Sequence, residues 1–475
     1  MESAIWWIRR DLRLNDNPAL SRAVSLAKSV VPVYVLDPIL IQSSKASPRR
    51  LDFLYRGLKA LDEDLRSRGS RLVIRQGDPL EILSRLVREC EVEQIFAEED
   101  FSPYARQRDH RIAEALPLEL VGGSCVSHPE SLVKDDGTPY KVFTPYMRSW
   151  KARYENQGDL LLSAPDFIPT DPELRSESFP DPVPVESADL FPPGEGAAME
   201  RLKSFTDPST GKIFGYADER NIMAVDGTAQ VSPYLRFGML SARQCIHAAQ
   251  EAMRLSPDPA SRNSAEVWLN ELIWREFYLA ILYHFPFVLR RSFRDDLTDI
   301  PWRNDSAEFH AWCAGQTGYP VVDAAMRQLN ETGWMHNRGR MIVASFLVKD
   351  LLVDWRWGEK FFMQKLLDGD PAANNGGWQW TAGTGTDAAP YFRVFNPILQ
   401  GKKFDPQGKF VKRWLPELSS VPEKFIHTPW EMPEEVQKRA SCTIGSDYPQ
   451  PIVDHSFARK RVLDIFSRTK DAYEQ

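Results

Sequence analysis

No run of about 18 apolar residues occurs in this 475-residue chain, which excludes a membrane-spanning helix. Cysteine is scarce. Cys90, Cys125, Cys245, Cys313 and Cys442 are far apart and odd in number, which argues against a disulfide framework and for buried thiols in a reducing compartment. Neither a CxxC nor an HxxxH spacing occurs, so no structural metal site is expected. The opening MESAIWWIRRDLRLND has no cleavable apolar segment, and a cytoplasmic location is expected. GxGxxG is also missing. The first turn reads RRDLRLND instead, which argues against a dinucleotide held there in the usual way. Positive charge is not in excess: the formal net charge is −7. That disfavours a broad nucleic-acid surface but leaves room for a local basic groove, because phosphate binding depends on where the charges sit.

The length suggests two or three domains. Residues 1–130 alternate short apolar runs with amphipathic segments. The runs at 4–8, 30–36, 71–75, 94–99 and 118–123 read as strands, and 18–28, 51–67, 79–90 and 103–115 read as helices. This predicts an α/β domain with a mostly parallel five-stranded sheet. Residues 131–200 read as a long wrapping connector with little regular structure, because eight prolines fall between Pro165 and Pro193. Residues 201–475 read as a large all-helical domain, with helices expected over 265–285, 319–333, 340–353 and 358–369.

Eleven of the fourteen tryptophans lie beyond Ala265. Tryptophan can pack a core, stack on a flat ligand or move electrons. Glu271 and Arg275 lie four apart on one helix face beside Trp268 and Trp274; such a pair forms either a solvated ion pair or a carboxylate in an apolar wall, with a raised pKa. Trp334–Met341 follows a helix stop and opens another helix. Asn337 there can read an imide edge, and Arg338 and Arg340 add charge. Asp368, Asp370, Asn374 and Asn375 precede Gly376-Gly377-Trp378. A polar loop is the plain alternative to a wall around a planar ligand, and Asp368 could pair with Arg340. Thr228-Ala229-Gln230-Val231-Ser232 forms a short turn that could cradle a diphosphate, with Ser232 as a helix cap. Lys402, Lys403, Lys409, Lys412 and Arg413 form a basic run that suits either solvated surface or a DNA phosphate contact.

The strings WWIRRDLRLNDNPAL, NELIWREFY, TGYPVVDAAMRQLNETGWMHNRGRM, DWRWGEKFFMQKLLDGDPAANNGGWQW and GTDAAPYFRVFNP resemble the photolyase/cryptochrome family over nearly the full chain, closest to its class I cyclobutane pyrimidine dimer members. The resemblance implies an antenna-chromophore domain at 1–130, the connector at 131–200, and an FAD- and lesion-binding helical domain at 201–475. It implies a monomeric lyase acting on UV-damaged DNA, nucleoid-associated when bound. Reduced FAD would pass an electron to a flipped-out dimer under blue light and recover it after the ring opens. By the same resemblance Glu271, Trp274, Asn337, Met341 and Trp380 contact the dimer. Trp378, Trp355 and Trp302 form an electron relay. Tyr216, Thr228, Ala229, Gln230, Val231, Ser232, Arg275, Arg340, Asp368, Asp370 and Asn374 surround FAD, with Asn374 beside flavin N5, where it favours the reduced flavin.

Asn337 and Met341 stand where (6-4) photolyases place two histidines, and Asn374 stands where many plant-type cryptochromes carry Asp. Both identities favour dimer repair over a signalling cryptochrome, the alternative. Ala229 departs from the family's usual Ser. Tyr104-Ala105 replaces the Asn-Glu pair of folate-binding members, while Arg50, Asp100 and the Asp37–Leu40 turn fit an 8-hydroxy-5-deazaflavin antenna; methenyltetrahydrofolate and FMN are the alternatives.

Overall fold

The computed structural model describes residues 1–474 except 44–45, 158–160, 172 and 391. The chain divides into two compact units. The first comprises Met1–Ala217, Thr228–Pro286 and Leu367–Ala372; the second comprises Asp218–Gly227, Phe287–Leu366 and Ala373–Gln475.

The first unit contains a five-stranded sheet of β1 (Ser3–Ile8), β2 (Ser29–Leu36), β3 (Val73–Gln76), β4 (Gln94–Glu99) and β5 (Leu118–Gly123). The order is β3-β2-β1-β4-β5 and every pairing is parallel. β1 lies in the centre, where Ile5 pairs with Val31 on one side and Ile95 on the other. Its apolar run AIWWI suits a strand covered on both faces, and Trp6 and Trp7 are both fully buried. The helices Pro18–Leu26, Pro48–Arg66, Pro79–Glu89 and Pro103–Ala113 follow β1 to β4. Each starts on a proline, whose missing N–H costs nothing at a helix start. Asn17, Asp78 and Ser102 cap three of them by accepting from Leu20 N, Leu80 N and Ala105 N. All five strands and four helices were legible in sequence, with β3 beginning two residues later than its apolar run.

The connector is more regular than its proline content predicts. Phe143–Gln157 is a helix of 15 residues. The eight prolines all lie after it, and Phe143, Tyr146, Trp150 and Tyr154 recur at helical spacing and are buried. The described residues of 161–187 contain neither helix nor strand.

The second unit is helical. Pro320–Thr332 ends at Gly333, whose φ of 70° is the left-handed conformation that closes a helix. Asn337–Ser345 then runs into a π turn over Phe346–Asp350, where one continuous helix over 340–353 was expected. Trp355–Lys365 follows. Pro371–Ala382 is also a helix, not a polar loop. Asp370 accepts from Ala372 N at 2.9 Å at its start, and this cap with Pro371 offsets the roughly 1 kcal/mol that each of Gly376 and Gly377 costs in a helix. A single apolar core gathers Trp312, Trp355 and Trp378 with Phe346, Leu347 and Phe362. No helix is long and apolar enough to cross a membrane, and among the described residues no group of His, Cys, Asp and Glu is arranged to hold a metal ion.

Candidate functional site

In the first unit the candidate residues lie on the Pro259–His284 helix, on the 228–232 turn and in the short segment 367–372. The long helix is set by Asp258, which accepts from Ala260 N and Ser261 N at 2.9 Å, and by Pro259. From Ser264 onward its residues are apolar on most faces, and most of that part is buried. Glu271, Trp274 and Arg275 are only half-buried and share the exposed margin. The Trp274 indole stacks on Phe143, with centroids 3.7 Å apart and planes 7° from parallel, and meets Phe277 edge-on at 5.6 Å. Arg275 Nη1 donates to Ser124 O at 2.7 Å.

Sequence reasoning missed Glu276. It is buried and accepts from Val126 N and Trp150 Nε1, both at 2.7 Å. Burial raises its pKa, and these donors with Arg275 oppose the shift. Glu276 ties the Phe143–Gln157 helix to the helix that carries Trp274. Its position among Leu272, Ile273 and Ala280 on the apolar side was the available signal.

The 367–372 segment concentrates charge. Arg10 Nη2 donates to Asp370 at 2.7 Å, and Arg10 Nη1 lies 3.6 Å from Asp100. Arg236 Nε donates to Gly369 O at 2.8 Å. Burial alone would raise the Asp370 carboxyl, but the guanidiniums of Arg10, Arg236 and Arg275 hold it well below the usual carboxylate range. Burial pushes Arg236 down to about 9. Asp368 accepts from Ser232 Oγ at 2.6 Å. Ser232 was expected as a helix cap; it is instead the first residue of Ser232–Phe237, Val231 is the cap, and the hydroxyl is engaged by the carboxylate. Gln230 has a φ of 50°, so its backbone is left-handed. Thr228 and Gln230 are half-buried, and Tyr216, Ala229 and Val231 are buried. Arg50 is buried and pushed down to about 10 by burial, with Asp368 partly opposing the shift. Arg50 and Asp100, assigned to the antenna from sequence, therefore lie within electrostatic reach of the 368–370 segment.

The strand order reverses between β1 and β4, where open parallel sheets form a crevice at their carboxyl ends. Charge is stacked on the central strand's Trp7 in this domain. The guanidiniums of Arg9 and Arg108 lie 4.4 and 4.8 Å from the Trp7 ring, and Asp109 pairs with Arg9 at 2.5 Å. Asp37 accepts from Tyr104 Oη as well as from Ile39 N. Ile39 and Leu40 next to it are exposed.

In the second unit Asn337 is exposed at the first position of its helix, and Met341 lies one turn on, half-buried. His336 caps this helix by accepting from Arg338 N at 3.1 Å. Burial and the charges of Arg340 and Arg338 push its imidazole down to about 4, so it is neutral at physiological pH. Arg338 donates to Asn221 Oδ1, and Arg340 Nε donates to Met335 O at 2.9 Å. On Pro371–Ala382, Asn374 is buried and its Nδ2 donates to Glu359 O at 3.0 Å, which leaves Oδ1 as its acceptor. Trp380 is half-buried. Trp378 meets Phe362 edge-on at 5.0 Å and Trp312 at 6.1 Å. Trp355 and Trp378 are buried within one core and among the described residues their indole N–H groups have no acceptor, while Trp302 packs on the edge of that core, half-buried.

Comparison with known proteins covers both units. The family model for the FAD binding domain of DNA photolyase matches residues 268–468, and that for DNA photolyase matches residues 4–167. The chain is 40% identical to a deoxyribodipyrimidine photo-lyase of Synechococcus sp. over 98% of this chain and 97% of that protein. Among solved structures, a bacterial class III photolyase from Agrobacterium tumefaciens superposes with a TM-score of 0.92 at 37% identity, covering 99% of this chain and 98% of that one. A cryptochrome from Synechocystis sp. superposes with a TM-score of 0.88 at 31% identity, covering 98% and 99%.

Proposed function

This chain belongs to the photolyase/cryptochrome family, and on that premise we propose that it is a deoxyribodipyrimidine photo-lyase that splits cyclobutane pyrimidine dimers in DNA under blue light. FAD is the cofactor that its FAD-binding domain implies. When bound in its reduced form, the flavin supplies the light-driven electron that opens the cyclobutane ring and takes it back afterwards.

Asn374 carries the repair reading. One of its two amide N–H groups is engaged by Glu359 O, and the carbonyl Oδ1 is the acceptor it can offer a ligand. An acceptor in that position suits an N–H on the ligand. At the flavin edge to which the family resemblance assigns Asn374, that N–H exists only in the reduced form. An aspartate, as in plant-type cryptochromes, would add a negative charge there.

The other residues bind, orient and exclude water. Trp274, held against Phe143, and Trp380 are the indoles assigned to wedge the dimer. Glu271, Asn337 and Met341 are assigned to its bases; Glu271 is half-buried, which suits a carboxylate meeting an imide edge. Asp368, Asp370, Arg340, Arg275, Tyr216 and the 228–232 turn are assigned to FAD. Trp378 and Trp355 are buried in one core and Trp302 is half-buried at its edge, which supports Trp302 as the outer end of the relay. Residues 1–130 form the antenna domain, 131–200 the connector and 201–475 the catalytic domain. The class I assignment rests on the quoted strings. The antenna is proposed as 8-hydroxy-5-deazaflavin in the β1/β4 crevice, and its extraction and absorption spectrum test that. The protein is proposed to act as a monomer in the cytoplasm, on nucleoid DNA.

The Synechocystis likeness favours the second reading, a cryptochrome that reduces its flavin in light without repairing DNA. One assay separates the two. Irradiated oligothymidine is incubated with the FAD-reduced protein in blue light and in darkness. Loss of dimers only in light is expected; photoreducible flavin with no dimer loss would overturn the repair reading.

A further inference from the structure

Lys349 lies in the middle of the π turn Phe346–Asp350 and is buried. Among the described residues it has no carboxylate partner. Its Nζ donates to Ala382 O at 2.9 Å and lies 3.9 Å from the centroid of the Phe466 ring. Burial pushes the amine down to about 7. A buried ammonium with one carbonyl acceptor and a ring face is costly relative to an apolar side chain of similar size. Global stability therefore does not explain its presence.

Its position does. Ala382 is the last residue of the helix that carries Asn374, Trp378 and Trp380. A helix end leaves carbonyls without partners. The chain itself covers two of them: Gln379 O accepts from Gly383 N, Thr384 N and Gly385 N, and Trp380 O accepts from Ala389 N. Ala382 O is covered by the Lys349 amine, a donor at the carbonyl end of the helix. Behind Lys349 is Phe466, fully buried on the C-terminal helix His455–Glu474 and edge-on to Trp302 at 6.1 Å. Next to Lys349, Asp350 pairs with His455 at 2.6 Å, and its carbonyl accepts from Arg461 at 2.6 Å. One face of the π turn thus fastens the site helix, and the adjoining residue fastens the C-terminal helix.

We propose that Lys349 is a positioning residue for the helix bearing Asn374, Trp378 and Trp380, and that through Phe466 it couples the C-terminal helix to that helix. The functional part of the inference rests on the repair reading; the mechanical part does not.

The test uses the full-length protein, with and without FAD, as Lys349→Met, Lys349→Arg and Phe466→Leu. Amide exchange at Gly383–Gly385 is expected to quicken by at least about tenfold in Lys349→Met, the loss of one buried hydrogen bond. The thermal midpoint of that variant is expected to change little, because replacing a buried amine with an apolar side chain offsets the Ala382 O left without its donor. Lys349→Arg is expected to restore most of the protection, and Phe466→Leu to quicken exchange at the same amides. In repair, Lys349→Met is expected to raise KM for dimer-containing oligothymidine several-fold at equal flavin content. A lower midpoint with exchange quickened evenly across all helices, or unchanged exchange at Gly383–Gly385, overturns the proposal. Absence of repair in the unmodified protein would remove the functional reading and leave the exchange result to decide the mechanical one.

Discussion

Gly358 lies in the Trp355–Lys365 helix with its backbone against the Trp378 indole. A Cβ built there would be 2.1 Å from Trp378 Cη2, 2.5 Å from Cζ3 and 2.6 Å from Cζ2. Carbon atoms in contact sit about 3.5–4.0 Å apart, so Gly358→Ala requires the ring or the helix to move by roughly 1.5 Å. Neither moves easily, since Trp378 is buried between Phe362 and Trp312. Overpacking of this kind costs about 1–3 kcal/mol, against the roughly 1 kcal/mol that Ala gains over Gly in a helix. A net loss of up to about 2 kcal/mol is expected in urea unfolding, together with slower photoreduction of oxidised FAD as the first relay indole shifts. Trp378→Phe removes the atoms that clash. In that background Gly358→Ala should cost much less, and the difference between the two costs measures the clash. An equal cost in both backgrounds, or a Gly358→Ala variant with unchanged stability and photoreduction, would refute the reasoning.

Trp302→Phe is expected to slow photoreduction of oxidised FAD by at least about tenfold while sparing repair by chemically reduced protein, measured by flavin absorbance and dimer loss. Arg10→Met leaves Asp100 and Asp370 without their shared guanidinium and should cost about 3–5 kcal/mol in denaturant unfolding. The sign with pH follows from Asp370: its folded pKa is depressed, so its stabilisation is fully present above the unfolded carboxylate value of about 3.9 and is lost only as pH falls towards the folded value. The unmodified protein should therefore resist acid to lower pH than Arg10→Met, as followed by circular dichroism. Lys402, Lys403, Lys409 and Arg413 are exposed. Neutralising them should lower the slope of log affinity for DNA against log salt by up to about 0.9 for each DNA phosphate they would otherwise neutralise, and an unchanged slope would leave the run as solvated surface.

The sheet was legible because every strand is a short apolar run between turn residues, and every helix of that region starts on proline. The Pro371–Ala382 helix was not, because Asn374-Asn375-Gly376-Gly377 has poor helix propensity and its start depends on an Asp370 cap that a reading for ligand contacts did not weigh. Phe143–Gln157 was hidden by the cluster of eight prolines from Pro165 to Pro193, which lies after it. In the candidate site, residue types pointed to roles at Asn374 and Trp274, but partners required coordinates. Ser232 was read as a cap and instead binds Asp368. Arg50 and Asp100 were separated by sequence distance from the residues assigned to FAD and share their electrostatic surroundings in space. Glu276 and Lys349 gave only a weak signal, since a lone charge in an apolar helix can as easily face water.

The segment Leu367–Ala372 has a consequence for how the protein is made. The chain passes between its two units five times, and Arg10 meets Asp370 across 360 residues. At about 5–20 residues per second, a ribosome that has released Arg10 takes roughly 20–70 s to release Asp370. During that interval the N-terminal sheet can form, but Arg10 has Asp100 without Asp370, and Arg236 lacks its Gly369 acceptor. The first unit is therefore complete only when nearly four-fifths of the chain has been synthesised. A fragment ending before Asp370 would retain the strands of the sheet but not the charge balance beside it.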